Sequence, residues 1–535
     1  MQPDKYTVPC VIKACADVSV LQDGRRVHSF AIRNGFGSDV VVESALVDMY
    51  IKCGSVDDAC QVFNKMSQRD VVSWTGMISG YAQSGYGNEA LGLFRQMQGA
   101  GVRPDPVTIA SVLPPSTHYS SLRQGQEIHG FMIRNGFESS VILESALVDM
   151  YAKCRSIEDA QRLFDNMSQR DVVSWNAMIT GYSLNGLEHE ALKLFDQIKL
   201  SGIKPNQVTI AGVLSACAHL EDLQQGKHVH DYIITSGFEP DVIVMNALVA
   251  MYAKCGNTEE GYRQFESMSE KDLISWNTMI AGYTLNGHCE DAIKLFCKMQ
   301  LANETPNSIT ITSVLPACAH LVFVKLGEMI HGYLIRRGFE SDVSVGSSLL
   351  YMYGKCRNME SARKVFDSMS QRDVISWNAM IAGYAQNGNC NLALTLICQM
   401  HGEDMKPNSI TVASVLSACG YLAALQQGKE IHNFTLRNEF ELDIFVGTSL
   451  IDMYAKCGSI KDARLVFDQM LEKDVVSWTE MISGYAIHGH GEDALTLFYQ
   501  MQHAGLKPDH ITFTAVLSAC SHAGLIVEGC KTLVA

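Results

Sequence analysis

Histidines recur along the chain at one spacing, and histidine is a residue type that binds metals and transfers protons. Each of the five copies lies 101 residues after the one before it: His28, His129, His230, His331 and His432. Copies this far apart in a repeating chain cannot share one metal ion. We therefore expect these side chains to pack within the structure, and we expect no metal site and no cofactor.

Cysteines form two further periodic sets. One set is Cys53, Cys154, Cys255, Cys356 and Cys457, and the other is Cys15, Cys217, Cys318, Cys419 and Cys520. No two of the 17 cysteines are separated by two residues, the spacing of many zinc and redox motifs. The pattern predicts small buried side chains in a reducing compartment.

Two tripeptides match the beginning of the zinc-deaminase signature, His-x-Glu. They are His401-Gly402-Glu403 and His490-Gly491-Glu492, and the second half of that signature, Pro-Cys-x-x-Cys, does not follow either of them. No nucleophile elbow, phosphate-binding loop or dinucleotide fingerprint occurs. The sequence therefore predicts no catalytic residue and no enzymatic activity of its own.

Composition limits the class of protein. Apolar residues make up 47% of the chain and charged residues 19%, which indicates an ordered protein with a core. The net charge of −15 argues against general polyanion binding, although positive charge confined to one groove remains compatible with it. We expect no membrane span, and Met1-Gln2-Pro3-Asp4 is not the start of a signal or transit peptide.

The elements that position these residues repeat with the same period. All five tryptophans (Trp74, Trp175, Trp276, Trp377 and Trp478) keep the 101-residue step. Glycines keep it at Gly85, Gly186, Gly287, Gly388 and Gly489, and prolines at Pro104, Pro205, Pro306, Pro407 and Pro508. Three registers at one period indicate a tandem repeat array.

Each unit of 101 residues divides into segments of 35, 31 and 35 residues. In the segment 71–105, Val72, Trp74 and Met77 begin an apolar stripe with helical period, and a second amphipathic run follows Gly85. This pattern predicts two antiparallel helices per segment. A single pair cannot bury its apolar faces, whereas stacked pairs can, so we expect an all-α fold, a right-handed α-solenoid superhelix with a concave face.

A 35-residue helical pair that ends in Gly-x-x-Pro-Asp/Asn resembles the pentatricopeptide repeat (PPR). The three alternating lengths resemble the plant PLS class, and the resemblance covers the whole chain. It implies the tail of a P motif at 1–4, fifteen motifs in L-S-P order at 5–509, and a truncated L motif at 510–535, without the C-terminal E and DYW regions. A tetratricopeptide array has 34-residue units and lacks this alternation.

The resemblance gives the register of each motif. L motifs begin at Lys5, Pro106, Gln207, Ser308, Ser409 and His510. S motifs begin at Val40, Val141, Val242, Val343 and Ile444. P motifs begin at Val71, Val172, Leu273, Val374 and Val475.

Two polar positions vary together in the P motifs: the fifth residue, after the tryptophan, and the last residue. The pairs are Thr75/Asp105, Asn176/Asn206, Asn277/Asn307, Asn378/Asn408 and Thr479/Asp509. Aspartate only accepts hydrogen bonds and suits the ring N–H of guanine or uracil, whereas asparagine also donates and suits the bare ring nitrogen of cytosine or adenine. We interpret the coupling as base reading, because a structural role would not require it.

The resemblance implies that the fifth and last residues of P and S motifs together read one RNA base. Thr with Asp implies G, Asn with Asp implies U, and Asn with Asn implies C and sometimes U; Ser with Asp also favours G. The S-motif pairs are Ser44/Asp70, Ser145/Asp171, Asn246/Asp272, Ser347/Asp373 and Thr448/Asp474. L motifs depart from this pattern at Ala110/Ser140, Ala211/Asp241 and Ala413/Asp443, and we treat them as silent, together with Thr312/Asp342.

These pairs predict a single-stranded RNA that runs parallel to the chain, 5′-GGNGCNUCNGCNGG-3′, where N is any base. At the thirteenth place of each S motif lies a lysine: Lys52, Lys153, Lys254, Lys355 and Lys456. These lysines are candidate phosphate contacts, or else solvated lysines near a helix C-terminus. Apolar second residues such as Val72, Val173, Ile274, Ile375 and Val476 either sandwich bases or simply pack at the helix start.

The function implied by the resemblance is the RNA-specificity module of an organellar C-to-U editing factor, in a mitochondrion or plastid. Its partners would be single-stranded RNA, editing accessory proteins and a deaminase supplied by a missing domain or in trans. Two alternatives remain open. One is another organellar role in RNA processing, splicing or stability, and the other is a protein-interaction scaffold of the tetratricopeptide type.

Overall fold

The protein is described by a computed structural model that covers residues 4, 6–113, 122–137, 140–438, 440, 443–525, 527 and 529. Over these residues the secondary structure consists of 31 α-helices and one 3₁₀ turn, Phe339–Ser341, without a β-strand. The all-α fold predicted from the sequence is thereby confirmed. Within the same residues, no helix has both the length and the apolarity that a membrane span requires.

Helix pairs follow the apolar stripes of the sequence. In the segment 71–105 the first helix is α5, Val71–Gln83, and the second is α6, Gly87–Gly99. Gly85 between them has φ +83°, a left-handed conformation that glycine adopts without a Cβ penalty. The equivalent pairs are α11 (Val172–Leu184) with α12 (Glu188–Leu200), α17 (Leu273–Leu285) with α18 (Cys289–Leu301), α23 (Val374–Gln386) with α24 (Cys390–Gly402), and α29 (Val475–Ile487) with α30 (Gly491–His503).

The other two kinds of segment form the same arrangement. In the S register the pairs are α3 (Val40–Lys52) with α4 (Val56–Lys65), α9 (Val141–Lys153) with α10 (Ile157–Asn166), α15 (Val242–Lys254) with α16 (Thr258–Ser267), α21 (Val343–Lys355) with α22 (Met359–Ser368), and α27 (Ile444–Lys456) with α28 (Ile460–Gln469). In the L register they are α1 (Thr7–Asp17) with α2 (Leu21–Arg33), α7 (Pro106–Val112) with α8 (Leu122–Arg134), α13 (Gln207–His219) with α14 (Leu223–Thr235), α19 (Ser308–His320) with α20 (Val324–Arg337), and α25 (Ser409–Tyr421) with α26 (Leu425–Arg437). The last described helix is α31, His510–Ala523.

The chain forms two compact units, Met1–Lys271 and Asp272–Ala535. Within each unit, the first helix of a pair packs against its own second helix and against the first helices of neighbouring pairs. First helices therefore form one layer and second helices the other, as in a solenoid. This arrangement places one residue of each first helix at an equivalent level of the layer.

An aromatic cluster joins successive pairs where an S segment meets a P segment. In the first unit, the rings of Phe63 and Trp74 meet edge to face at 4.9 Å. The guanidinium of Arg69 lies 4.7 Å from the Phe63 ring centre and donates from Nε to the Phe63 carbonyl oxygen at 3.0 Å. The cluster recurs at Phe164/Arg170/Trp175, Phe366/Arg372/Trp377 and, with lysine in place of arginine, Phe467/Lys473/Trp478. It explains why tryptophan marks these four copies.

A glycine and a methionine fix the approach of each L-register second helix. Gly226 in α14 faces Met251 in α15, and a Cβ added to the glycine would overlap the methionine sulfur. The same pairs occur at Gly24/Met49, Gly125/Met150, Gly327/Met352 and Gly428/Met453. Each of these methionines is fully buried. The sequence analysis did not identify this close contact.

Candidate nucleic-acid interface

The last residue of every P and S segment caps the first helix of the next segment. Asp105 precedes α7, and its Oδ1 accepts the backbone N–H of Thr108 at 2.7 Å. In the same way, Oδ1 of Asn206 accepts the backbone N–H of Thr209 at 3.0 Å. Such caps satisfy one of the unpaired N–H groups at a helix start. The candidate base-reading residue is therefore also an N-cap.

Asparagine pairs form a closed hydrogen-bond network with a buried threonine. Nδ2 of Asn176 donates to Oδ1 of Asn206 at 3.0 Å, and the Thr209 hydroxyl donates to Oδ1 of Asn176 at 2.6 Å. In the second unit the same contacts join Asn277, Asn307 and Thr310, and also Asn378, Asn408 and Thr411. Asn277 and Asn378 are buried, each 7% exposed.

Threonine–aspartate pairs use a different network. The Thr108 hydroxyl lies 2.7 Å from Oδ1 of Asp105 and 2.6 Å from the Thr75 hydroxyl. Because an ionised carboxylate cannot donate, Thr108 donates to Asp105 and Thr75 donates to Thr108. Thr479, Thr512 and Asp509 repeat these contacts, but the Thr479 hydroxyl also donates to the Val475 carbonyl oxygen at 2.7 Å. The hydrogen bonds from Thr512 lower the pKa of the Asp509 carboxyl.

These networks correct one expectation. We argued that a structural role would not couple the fifth and last positions, and this is wrong, because each combination forms its own complete set of hydrogen bonds. The third participant, Thr108, Thr209, Thr310, Thr411 or Thr512, was not identified from the sequence. A signal was present, since Ser or Thr three residues after Asp or Asn is typical of a helix N-terminus.

In Asp105 and Asn206 the cap leaves one terminal atom of the side chain uncommitted. Only Oδ1 of Asp105 is used, and among the described residues no hydrogen bond involves its Oδ2. Within the same described part of the chain, Nδ2 of Asn206 donates to no group. The Asn206 amide orientation is fixed by the backbone N–H that its oxygen must accept. The uncommitted atom is therefore an acceptor in aspartate and a donor in asparagine.

The S-register pairs are joined less regularly. The Ser44 hydroxyl donates to Oδ1 of Asp70 at 3.0 Å, and that of Ser347 to Oδ1 of Asp373 at 3.4 Å. Thr448 instead donates to the carbonyl oxygen of Ile444, and the buried Ser145 hydroxyl has no hydrogen-bond partner within the described residues. Asp171 and Asp474 nevertheless cap α11 and α29. Asn246 lies in the first unit and Asp272 in the second, where Asp272 caps α17.

The last residues of L segments mostly adopt another geometry. Asp342 caps α21 with ψ 110° and accepts from the backbone N–H groups of both Ser344, at 2.9 Å, and Val345, at 3.3 Å, whereas Asp105 accepts only that of the third residue after it. Asp39 and Asp443 are similar, with ψ 122° and 112°, whereas Asp105 has ψ 170°. Thr312 donates to the carbonyl oxygen of Ile309, not to Asp342. Asp241 is the exception, with ψ 179°.

Second-position side chains lie on the surface. Val72, Val173, Ile274, Ile375 and Val476 are between 52% and 65% exposed. Packing at the helix start, the alternative that we left open, does not account for apolar groups in solvent. A flat apolar row is compatible with contact to nucleobase faces.

Two cavities lie beside these residues, one in each unit. The first measures about 820 Å³ and is lined by Val41, Ser44, Asp70, Val72 and Gly76, among others. The second measures about 560 Å³ and is lined by Phe445, Thr448, Asp474, Val476 and Glu480, among others. Each therefore brings a fifth residue, a last residue and two second residues to one concave site.

The candidate phosphate-binding lysines differ in their neighbours. Lys52, Lys153 and Lys456 pair with Asp48, Asp149 and Asp452 at 2.9, 2.7 and 2.8 Å, each one helical turn away. Lys355 donates to Oε1 of Gln386 at 3.1 Å. Lys254 is exposed and has Ala250 at the place of those aspartates, and it forms no ion pair with the described residues of its own unit. All five lie in the last turn of their helices.

The periodic histidines pack as predicted. Nδ1 of His230 lies 2.7 Å from the Tyr252 hydroxyl, with the rings edge to face at 5.7 Å. The same pair occurs at His28/Tyr50, His129/Tyr151, His331/Tyr353 and His432/Tyr454. Burial lowers the pKa of both His28 and His230. These histidines join the second helix of an L pair to the first helix of an S pair.

The periodic cysteines are buried or half-buried free thiols, as predicted. Burial raises the pKa of Cys217 and Cys318 to about 12 and that of Cys419 to about 11. Thiols with such pKa values are poor nucleophiles at neutral pH.

The two His-x-Glu tripeptides lie at helix ends. His401 and Gly402 close α24, and Glu403 lies 3.6 Å from Arg372; His490 is the N-cap of α30. Within the described residues, no three His, Cys, Asp or Glu side chains come together as metal ligands would.

Comparison with known families is consistent with the repeated caps and helix pairs. The PPR repeat family matches residues 69–113, 170–219, 271–320, 372–420 and 473–522. A second description, PPR repeat, matches residues 44–71, 145–172, 243–273, 347–374 and 448–475. Together these ranges cover more than half of the chain.

Curated relatives from Arabidopsis thaliana extend over almost the whole chain. The pentatricopeptide repeat-containing protein At4g04370 is 39% identical over 99% of this chain and 72% of its own length. At1g11290, chloroplastic, is 38% identical over 96% of this chain and 63% of its own length, and At3g02330, mitochondrial, is 35% identical over 98% and 60%. The chain thus spans about three fifths to three quarters of these relatives.

Solved structures share the fold. The crystal structure of the pentatricopeptide repeat protein PPR10 from maize gives a TM-score of 0.53 at 19% identity, covering 99% of this chain and 83% of that one. PPR10 in complex with an 18-nt psaJ RNA element gives 0.54 at 20% identity, covering 99% and 84%. Helix pairs stacked in this way define an α-solenoid of tandem repeats. Within that class, the chain belongs to the pentatricopeptide repeat family, of the kind found in plants.

Proposed function

We propose that this chain binds single-stranded RNA in a sequence-specific manner and that each S and P motif reads one base. The motifs are the fifteen PLS-class repeats of residues 5–509, followed by the L motif that begins at His510. Fifth and last residues of each S and P motif form the base-reading pair, and L motifs are silent. The RNA runs parallel to the chain with the sequence 5′-GGNGCNUCNGCNGG-3′.

The observation that carries this proposal is the uncommitted side-chain atom of last residues such as Asp105 and Asn206. Oδ2 of Asp105 accepts, which matches the ring N–H of guanine. Nδ2 of Asn206 donates, which matches the ring nitrogen of cytosine. Because the other atom caps a helix, the reading atom is held in place before RNA arrives, and little conformational entropy is lost on binding.

A further feature supports an RNA ligand over a peptide. Exposed second-position side chains such as Val72 and Val476 line the same cavities as the reading pairs. A base between two such side chains would stack on them while its edge contacts the reading pair.

The cellular role that we propose is specification of C-to-U editing sites in an organellar transcript. Relatives are named chloroplastic or mitochondrial, and a related protein of maize has been crystallised with RNA. The residues discussed above supply recognition, and deamination would come from another domain or a separate protein together with accessory proteins. Processing, splicing or stabilisation of organellar RNA would use the same interface.

A binding experiment tests the proposal. The purified chain is titrated with labelled 5′-GGNGCNUCNGCNGG-3′ and with an RNA of equal length in which G and C are exchanged at the five bases assigned to P motifs. We expect the matched RNA to bind at least about tenfold more tightly, since a good base contact contributes roughly 1–3 kcal/mol. Equal affinities would contradict the base assignment, and no measurable affinity for either RNA would favour a protein scaffold.

A double substitution tests one reading pair. Asn378→Thr with Asn408→Asp recreates the combination found at Thr479 and Asp509, including the hydrogen bond to a threonine. The variant therefore keeps its N-cap and folds normally, while the uncommitted atom changes from donor to acceptor. We expect the preferred base at that position to change from C to G, by about fivefold or more in affinity ratio.

The single substitutions are the controls for this swap. Asn408→Asp alone changes the reading atom but keeps Asn378, and it corresponds to the U combination. If the double variant has the same ratio of affinities for the C-containing and G-containing RNAs as the natural chain, this pair does not read the base.

A further inference from the structure

One of the two cavities has a glutamate where the other has a glycine. In the second unit, Phe445, Thr448, Asp474, Val476 and Glu480 line the cavity of about 560 Å³. Glu480 is the sixth residue of its P motif, directly after Thr479. The equivalent residues in the other P motifs carry no charge: Gly76, Ala177, Thr278 and Ala379. The cavity of the first unit, with Gly76 at this place, is larger, about 820 Å³.

The Glu480 carboxylate is not paired with any group in the described part of the chain. No hydrogen bond or ion pair involves it within the residues that the structure describes. Lys456, the nearby cation, is held 2.8 Å from Asp452 and lies 4.8 Å from the Tyr421 ring centre. The Lys456 ammonium group is therefore already committed to another carboxylate.

The charges around Glu480 do not neutralise its carboxylate. Burial raises the pKa of the Glu480 carboxyl, and the neighbouring Asp452 raises it further, while Lys456 partly opposes this effect. A half-buried carboxylate without donors is costly, and a ligand that brings N–H groups would satisfy it. The cavity therefore suits a ligand with more than one donor on the same edge.

We propose that Glu480 is an additional specificity-determining residue, which accepts a hydrogen bond from the 2-amino group of the guanine read by Thr448 and Asp474. This inference rests on the proposed function. Guanine presents two adjacent donors on its pairing edge, the ring N–H and the 2-amino group. Asp474 caps α29 through Oδ1 and leaves Oδ2 for the ring N–H, and Glu480 faces the same cavity and takes the amino group.

Inosine is the probe, because it keeps the ring N–H of guanosine and lacks the 2-amino group. Inosine replaces the thirteenth nucleotide of the proposed RNA, which pairs with Thr448 and Asp474. In a second RNA it replaces the first nucleotide, which pairs with Ser44 and Asp70 beside Gly76. We expect a loss of about fivefold to tenfold in affinity at the thirteenth position and little change at the first.

Two protein variants, tested with the same RNAs, complete the experiment. Glu480→Ala places at this site the residue that Ala177 and Ala379 already occupy in equivalent helices, so we expect it to fold. In this variant the penalty for inosine at the thirteenth position should disappear. Glu492→Ala is the matched control, because it removes an exposed carboxylate from α30 of the same repeat, in the second-helix layer. That variant should retain the full penalty.

Several results would overturn the inference. One is an inosine penalty of equal size at both positions, and another is a penalty that survives Glu480→Ala. A third is that Glu480→Ala binds every RNA more tightly than the natural chain does, and by the same factor. That result would indicate only that the Glu480 carboxylate repels the RNA phosphates. If the natural chain binds the guanine RNA and the RNA with inosine at the thirteenth position equally well, only this inference is refuted. If it binds no RNA, the proposed function is refuted as well.

Discussion

Asn206 and Asp105 each have two terminal side-chain atoms with different roles. Oδ1 closes the start of the next helix, and the other atom remains available to a ligand. A longer Glu or Gln in this position would not reach the backbone N–H in the same geometry, so the cap explains why short Asx side chains occupy it. At the residue scale, stability and recognition therefore depend on the same group.

The buried threonine at the centre of the network should be essential to local stability. We expect Thr209→Val to weaken the contact between α11 and α13, because the hydroxyl donates to Asn176 at 2.6 Å and its loss leaves a half-buried acceptor unpaired. The cost should be about 1–3 kcal/mol. Hydrogen exchange followed by mass spectrometry should show at least about fivefold faster exchange in Val172–Leu184 and Gln207–His219.

The control for this variant is Thr235→Val, which replaces the same atoms at an exposed site. The Thr235 hydroxyl donates only to carbonyl oxygens of its own helix. If hydrogen exchange in α11 and α13 has the same rate in both variants, the Thr209 network does not stabilise this junction.

The sequence allowed part of this site to be predicted. The coupling of Asn176 with Asn206 was visible, because both vary between copies. The cap itself was missed, although Asn206 and Thr209 stand at the spacing of a capping box. The backbone ψ of 110° at Asp342, against 170° at Asp105, could not be predicted, since both residues are aspartates before a helix.

At the scale of helices, polar contacts join pairs that apolar packing alone would leave free to slide. His230 on α14 and Tyr252 on α15 form one such contact, and Gly226 lets Met251 fit beneath it. The 101-residue period identified the histidine but not its tyrosine partner, 22 residues later, because contacts between helices depend on their mutual rotation. Apolar stripes in one sequence predict each helix and its buried face, and they leave the neighbour on that face undetermined.

Protonation of His230 should loosen this junction in mild acid. Burial holds its pKa below the usual value of 6.5, so the unfolded or opened segment binds a proton first as the pH falls. The stabilisation is fully present above pH 6.5 and is lost progressively between 6.5 and the lower pKa of the folded state. We expect hydrogen exchange in α14 and α15, corrected for intrinsic rates, to accelerate from about pH 7.5 to 5.5.

The double variant His230→Phe with Tyr252→Phe removes the titrating group and leaves no orphan hydroxyl. Phenylalanine is the residue at the equivalent place of P segments, where Phe195 packs edge to face on Tyr232 at 5.5 Å. Acid acceleration should be absent from this variant. The same acceleration in both proteins would assign it to another group.

At the scale of the molecule, a net charge of −15 must be reconciled with a polyanionic ligand. The ion pairs of Lys52, Lys153 and Lys456 largely cancel the positive charge of the layer of first helices. Lys254 is the exception in the first unit. Affinity would then depend more on base contacts than on phosphate contacts, and binding would be less sensitive to salt than in basic RNA-binding proteins.

A measurement of salt dependence tests this view. We propose that Lys254 contacts phosphate, and Lys254→Gln should then reduce the slope of log K against log salt concentration by about 0.7, the value for one phosphate contact on a single strand. Lys227→Gln is the control, because it removes an equally exposed charge from the second-helix layer of the same unit. Identical slopes for the two variants would identify Lys254 as a solvated lysine that only stabilises its helix end.

The shared cap has a consequence for how target preference changes in evolution. Aspartate and asparagine differ by one terminal atom and have nearly the same shape, and both close the following helix through the same oxygen. A single nucleotide change in the gene can therefore exchange one for the other and retarget a repeat while the scaffold stays intact. Lineages can accumulate such exchanges without passing through a misfolded intermediate, which favours rapid divergence of binding preference on one architecture.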